Sequence, residues 1–181
     1  MVNDAGREAF MKCVDIGNRL IGKTPKAKTS QPENPPQKKS APTVAFEKYL
    51  QSLFDAFNLQ PRGSFKIVGE QIDGSFILKD EVYLLEAKWT TKPIDKSQLV
   101  VFNEKVSSKS GFTRGLFISF SNFTEEAIFT FAMGRTVNII LMTVQELAVA
   151  LSGGMDIEAV LWNKAGALGD CGNFNKSVFE M

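Results

Sequence analysis

The chain has no histidine among its 181 residues. That excludes Ser-His-Asp and Cys-His nucleophilic schemes, histidine-ligated zinc, and nucleases whose general base is an imidazole. Cysteine is almost as scarce. Cys13 and Cys171 stand near opposite ends and form no CxxC pair, which excludes a disulfide framework or thiolate metal site and suits a reducing compartment. No apolar run approaches the roughly 18 residues of a membrane span. The opening MVNDAGREAF carries acids and no apolar h-region, so no signal peptide is expected and a cytoplasmic location is. An excess of either charge is also missing. At a formal net charge of +1 no global field draws the chain to nucleic acid or membrane, so any basic surface must be local. Chemistry here must run on carboxylates, lysines, hydroxyls or a bound metal.

A hydrophobic content of 44% supports one domain with a sizeable core. Residues 4–21 space their apolar side chains as an amphipathic helix does, so residues 1–21 are expected as a short N-terminal helical segment. GKTPKAKTSQPENPPQKKSAPT then holds five prolines, five lysines, one glutamate and no large apolar residue. Residues 22–42 therefore read as a flexible linker. The folded domain is expected over residues 43–152, with residues 153–181 as a C-terminal extension.

Within the domain, Thr43 is the expected N-cap of VAFEKYLQSLFDAF, whose Phe46, Leu50, Leu53, Phe54 and Phe57 form one apolar stripe. Three strand-like runs follow, SFKIVG, QIDGSFIL and VYLLEAKW, the last two joined by a tight polar turn at Lys79-Asp80. Asp95, with Gln98 three residues on, opens a second helix as a capping box would. GLFISF and VNIILM read as buried strands. Asn122 is the expected cap of the helix between them, and Thr143 with Glu146 opens a further helix. The last segment suggests a short helix around Ala159. Strands alternating with helices argue an α/β fold with a mixed central sheet flanked by helices.

Charges at the centre of apolar strands need a reason. Side chains alternate along VYLLEAKW, so Val82, Leu84, Glu86 and Lys88 share one face. Glu86 and Lys88 stand roughly 7 Å apart along the strand. Folding the preceding strand back through Lys79-Asp80 sets Asp73 across from Glu86, with β-carbons about 5 Å apart. Two carboxylates that close repel unless a proton or cation is shared. A hard divalent ion such as magnesium or manganese, held by one or two carboxylates and several waters, resolves the repulsion. A neighbouring ammonium can orient an attacking water and stabilise charge building on a phosphoryl group. An E-x-K triplet by itself is also what a solvated strand face carries. The flanking Leu84, Leu85, Ala87 and Trp89, and the acid across the turn, favour the catalytic alternative.

These residues resemble the PD-(D/E)xK nuclease superfamily, whose restriction-endonuclease-like core runs helix, three strands, helix, strand, as residues 43–120 do. QIDG, YLLEAKW and TRGLFIS look like the Mrr-like type IV restriction endonuclease domain, over roughly residues 43–150. The resemblance implies Asp73 and Glu86 as metal ligands for Mg2+ or Mn2+, Lys88 as the catalytic lysine, and DNA as substrate. Superfamily members often place an acid on the first helix, and Glu47 is the candidate. Gln71 shares Asp73's face by parity and is a further catalytic candidate; Gln98 is explained more simply by capping. Ile72 stands where the motif has proline. Mrr-like enzymes usually carry a separate DNA-recognition domain, so a protein partner or a further domain is expected to supply target selection, and a homodimer is expected.

Lys92, Lys96, Lys105, Lys109 and Arg114 are the DNA-binding candidates. Residues 86–114 hold six basic and three acidic side chains, whereas residues 115–181 hold three and seven, so a near-neutral chain is polarised along its length. Lys105 and Lys109, four apart, share a helix face. The function expected is metal-dependent endonucleolytic cleavage of DNA in prokaryotic defence. The alternatives are a catalytically silent nuclease-like module that binds nucleic acid or protein, and an RNA-cleaving nuclease.

Overall fold

A computed structural model describes residues 39–67 and 70–181. The expected N-terminal helix at 4–21 and the linker up to residue 38 lie outside the described residues. The first helix, α1, is Ala41–Ala56. Its N-cap is Ser40, three residues before the expected Thr43: the Ser40 hydroxyl accepts the Thr43 N–H, and Pro42 fits a first turn that needs no donor there. Phe46, Tyr49, Leu50, Leu53 and Phe54 form its buried stripe.

The strands β1 (Phe65–Ile67) and β2 (Glu70–Ile72) pair with each other as a separate two-stranded sheet. QIDGSFIL is therefore broken, contrary to the single strand expected. It divides at Asp73 into β2 and β3 (Gly74–Leu78). The strands β3, β4 (Glu81–Lys88), β5 (Arg114–Ser119) and β6 (Ile139–Thr143) form the central sheet in that order. β3 and β4 are antiparallel, and β4, β5 and β6 run parallel, so the sheet is mixed as expected. The turn between β3 and β4 is the two-residue one: Lys79 and Asp80 both take positive φ, 48° and 67°, as a type I′ hairpin requires.

Helix α2 (Lys96–Ser107) starts on Asp95, whose side chain accepts the Gln98 N–H at 3.1 Å. Helix α3 (Glu125–Thr130) is capped by Thr124 rather than Asn122, since the Thr124 hydroxyl accepts the Ala127 N–H. Helix α4 (Val144–Ser152) opens with the expected Thr143–Glu146 capping box. Helix α5 (Ile157–Cys171) is much longer than the short element expected around Ala159. Glycines at 166 and 169 lower its intrinsic propensity, but Asp156 caps it and burial of Ile157, Val160 and Leu161 supplies the rest.

Two cores lie on opposite faces of the sheet. Tyr83, Leu85 and Ala87 of β4 pack with α1, α4 and α5, joined by Leu116, Ile118, Ile140 and Met142. Leu84, Phe117, Ile139 and Leu141 face α2 and α3. Residues 153–181 are therefore part of the core, through Ile157, Leu161, Phe174 and Val178. Gly115 is where α2 meets the sheet: a Cβ there would lie 2.7–2.8 Å from Val106, Ile139 and Phe102.

Candidate active site

The β3–β4 register pairs Gly74 with Leu85, and one further step would set Asp73 opposite Glu86. Asp73 does not continue the ladder. Its Oδ2 accepts the main-chain N–H of Ala87 at 3.0 Å, so the carboxylate substitutes for a strand carbonyl one residue before β3 begins. Gly74 follows because the Arg62 carbonyl lies only 2.9 Å from where a Cβ would sit, letting the loop at Arg62 bridge to Ser75. Asp73 is thus 8% exposed, with one oxygen fixed by the main chain and the other facing the site.

Glu86 projects from the same β4 face as Leu84, towards α2. Its Oε1 meets Lys88 Nζ at 2.5 Å, and Lys105 of α2 reaches Oε2 at 3.5 Å. That second contact lies within ion-pair range but is not a hydrogen bond, and buried Oε2 has no hydrogen-bond partner. A buried, unsatisfied carboxylate oxygen is an unfavourable arrangement unless a cation completes it. Lys88, at the end of β4, is half exposed and turns its ammonium back over Glu86.

Glu47 arrives from α1, on the other face. Lys39 Nζ lies 2.5 Å from both Glu47 Oε1 and Asp73 Oδ1. Burial pushes the Glu47 carboxyl above its ordinary range; the Lys39 hydrogen bond pulls it back, and the Asp73 and Glu86 charges push further up. The Lys39 ammonium is held above its own usual range, because hydrogen bonds to Asp73 and Glu47 outweigh the opposing effect of burial. Both directions reflect burial of carboxylates that lie close to one another and to the Lys39 ammonium. Beside them opens a cleft of about 280 Å3, lined by Glu47, Asp73, Lys48, Gln51 and Arg62 among others.

The fold brings Asp73, Glu86, Lys88 and Glu47 together. Gln71 adjoins the site through its carbonyl, which accepts from Lys105 Nζ at 3.4 Å. Of the expected DNA-binding residues, Lys105 turns inward to Glu86, and Lys109 pairs with Glu70 at 2.9 Å. Lys92 is exposed and Lys96 half-buried, just beyond the end of β4 that carries Lys88. Arg114 pairs in register with Tyr83, so it sits at the opposite end of the sheet from Lys88, near Glu81. Lys39 was not legible in sequence: it lies among linker lysines, 34 positions from the acid it meets.

A metal would suit this donor set in chemistry. Among the described residues no group of three or more His, Cys, Asp or Glu side chains closes on one point. Magnesium, however, needs only one or two carboxylates with waters and substrate oxygens, and the orphaned Glu86 Oε2 near Asp73 meets that requirement.

The family model for the Mrr catalytic domain, described as restriction endonuclease, matches residues 39–151. The match covers well over half of the chain, and the chain belongs to this family of PD-(D/E)xK nucleases. The chain is also similar to the MspJI restriction endonuclease, solved in complex with a 27-mer oligonucleotide: 16% identity and a TM-score of 0.36, over 86% of this chain and 43% of that one. The chain thus spans less than half the length of that structure, a likeness too slight to bear on function. No curated protein matches. No helix among the described residues is long and apolar enough to cross a membrane.

Proposed function

We propose that the chain is a divalent-metal-dependent endodeoxyribonuclease in prokaryotic defence against foreign DNA, with Asp73 and Glu86 as the ligands for Mg2+ or Mn2+. The observation that carries this reading is the buried Glu86 Oε2, which has no hydrogen-bond partner and only the Lys105 ammonium at 3.5 Å, in a site where the Asp73 and Glu86 charges both act on Glu47. When bound, the ion would supply Lewis acidity towards a phosphate oxygen and a water of lowered pKa. Asp73 is preorganised for a ligand role by the Ala87 N–H, which fixes Oδ2 and leaves Oδ1, held only by the Lys39 side chain, as the ligand oxygen. Lys88 holds a half-exposed ammonium beside Glu86, positioned to orient the attacking water and to offset charge on the phosphoryl oxygens. Glu47 would accept a hydrogen bond from that water. In the overall step a water oxygen bonds to phosphorus, a P–O ester bond breaks, and the leaving oxygen takes up a proton.

Lys92 and Lys96, beyond the same end of the sheet, are the basic residues best placed for the phosphate backbone. A homodimer would bring one such site to each strand of a duplex, and target selection would fall to a partner protein or a further domain. Residues 1–38 would carry that attachment, in a cytoplasmic protein.

The test is incubation of the full chain with supercoiled plasmid, with and without magnesium or manganese. Cleavage is expected only with metal, and is lost in Asp73→Asn, Glu86→Gln and Lys88→Met. A metal-loaded wild type that leaves plasmid intact but degrades RNA would point to the other substrate. Undiminished cleavage by Glu86→Gln would refute the site.

A further inference from the structure

Lys39 Nζ sits 2.5 Å from Glu47 Oε1 and 2.5 Å from Asp73 Oδ1, so one ammonium is shared by two carboxylates that come from different elements. This geometry is more specific than a surface ion pair. The Asp73 side chain is 8% exposed, the Glu47 side chain 9%, and the lysine itself 23%. The free oxygen of Asp73, the one not engaged by Ala87, is the one the lysine covers. The position is fixed from the following residue, since Ser40 caps α1 and leaves Lys39 directly before the helix that carries Glu47. Glu86 has its own lysine in Lys88, so Lys39 is not needed to neutralise it.

Building on the metal site proposed above, we propose that Lys39 is a built-in cation of the carboxylate cluster, which a divalent ion must displace before it can use Asp73. The lysine and the ion compete for the same oxygen. Two positive centres cannot both lie within bonding distance of Asp73 Oδ1 without strong repulsion. Lys39 therefore relieves the repulsion between Glu47 and Asp73 when metal is absent, and sets the metal concentration at which the site fills. Glu47 and Asp73 line the same cleft as Lys48 and Arg62, so the displaced ammonium would remain close to that cleft.

The test is thermal melting of the full chain across a titration of magnesium and of manganese, for wild type, Lys39→Met and Asp73→Asn. Methionine keeps much of the lysine's length and removes the ammonium with its charge and its two hydrogen bonds. Lys39→Met is expected to melt lower than wild type without metal, because two acids lose their shared counter-charge. It should regain that stability at a lower metal concentration. If the ammonium holds the pair about nine-tenths of the time, its removal tightens apparent metal affinity about tenfold. A metal midpoint in Lys39→Met that is unchanged or weaker, while Asp73→Asn loses the metal response, overturns the competition and leaves the metal site standing. A metal response that survives in Asp73→Asn, or is absent from both wild type and Lys39→Met, overturns the site and the competition together.

Discussion

Asp73 Oδ2 accepts the main-chain N–H of Ala87 at 3.0 Å, one residue before β3 begins. One side chain therefore both terminates a strand and holds its neighbour in register. Ala87 lies between Glu86 and Lys88, so this single hydrogen bond ties all three charged residues to one piece of backbone. The spacing of the site is thus a property of the sheet edge.

Removing that bond should be felt in stability. Asp73→Ala leaves the buried Ala87 N–H without a partner and the Lys39 ammonium with Glu47 alone, and is expected to destabilise the metal-free protein by about 1–3 kcal/mol. Asp73→Asn keeps an oxygen for Ala87 and should lose less. Urea denaturation of both variants, in chelator, gives the order.

Glu86 should behave in the opposite way. Its Oε2 is buried without a hydrogen bond, so Glu86→Gln removes the cost of burying that anionic oxygen and places an amide there instead. The metal-free variant is expected to be more stable than wild type by about 1 kcal/mol, while losing its metal response. A marked loss of stability would mean that the Lys88 and Lys105 contacts form a structural ion network.

Glu47 gives the site a pH signature. Burial, with the Asp73 and Glu86 charges adding, raises its carboxyl from 4.5 despite the offset from Lys39. The native state therefore keeps a proton that the unfolded chain releases, and this contribution to stability falls as pH rises from 4.5 through the raised native value. Glu47→Gln should flatten that step. Denaturation midpoints in metal-free buffer between roughly pH 4 and 7 check it.

Far from the site, Lys164 is fully buried and donates to Glu146 Oε1 at 3.0 Å and to the Lys176 carbonyl. Glu146 also accepts the Thr143 and Val178 N–H groups. Lys164→Met strands that carboxylate and is expected to cost about 3–5 kcal/mol. Cleavage per folded molecule should be unchanged, which separates this structural pair from the site's ion pairs.

The sequence by itself determined the order of helices and strands and the local spacing of the charged residues, though not where QIDGSFIL breaks or how far the last helix runs. Alternation along VYLLEAKW sets Glu86 and Lys88 on one face because strand side chains have a period of two, and Lys79-Asp80 fixes the hairpin register because only a short turn with positive φ at both residues joins those strands. Asp73 near Glu86 followed from those local rules alone. Tertiary structure decided whatever depends on elements distant in sequence. It ended the strand at Asp73 by a side-chain bond to Ala87, turned Lys105 towards Glu86, left Arg114 at the far end of the sheet, and carried Lys39 across 34 positions into the carboxylates. No periodicity encodes such meetings. They arise because α1 and α2 pack on opposite faces of one sheet, and burial of their apolar stripes brings the attached charges to the same edge.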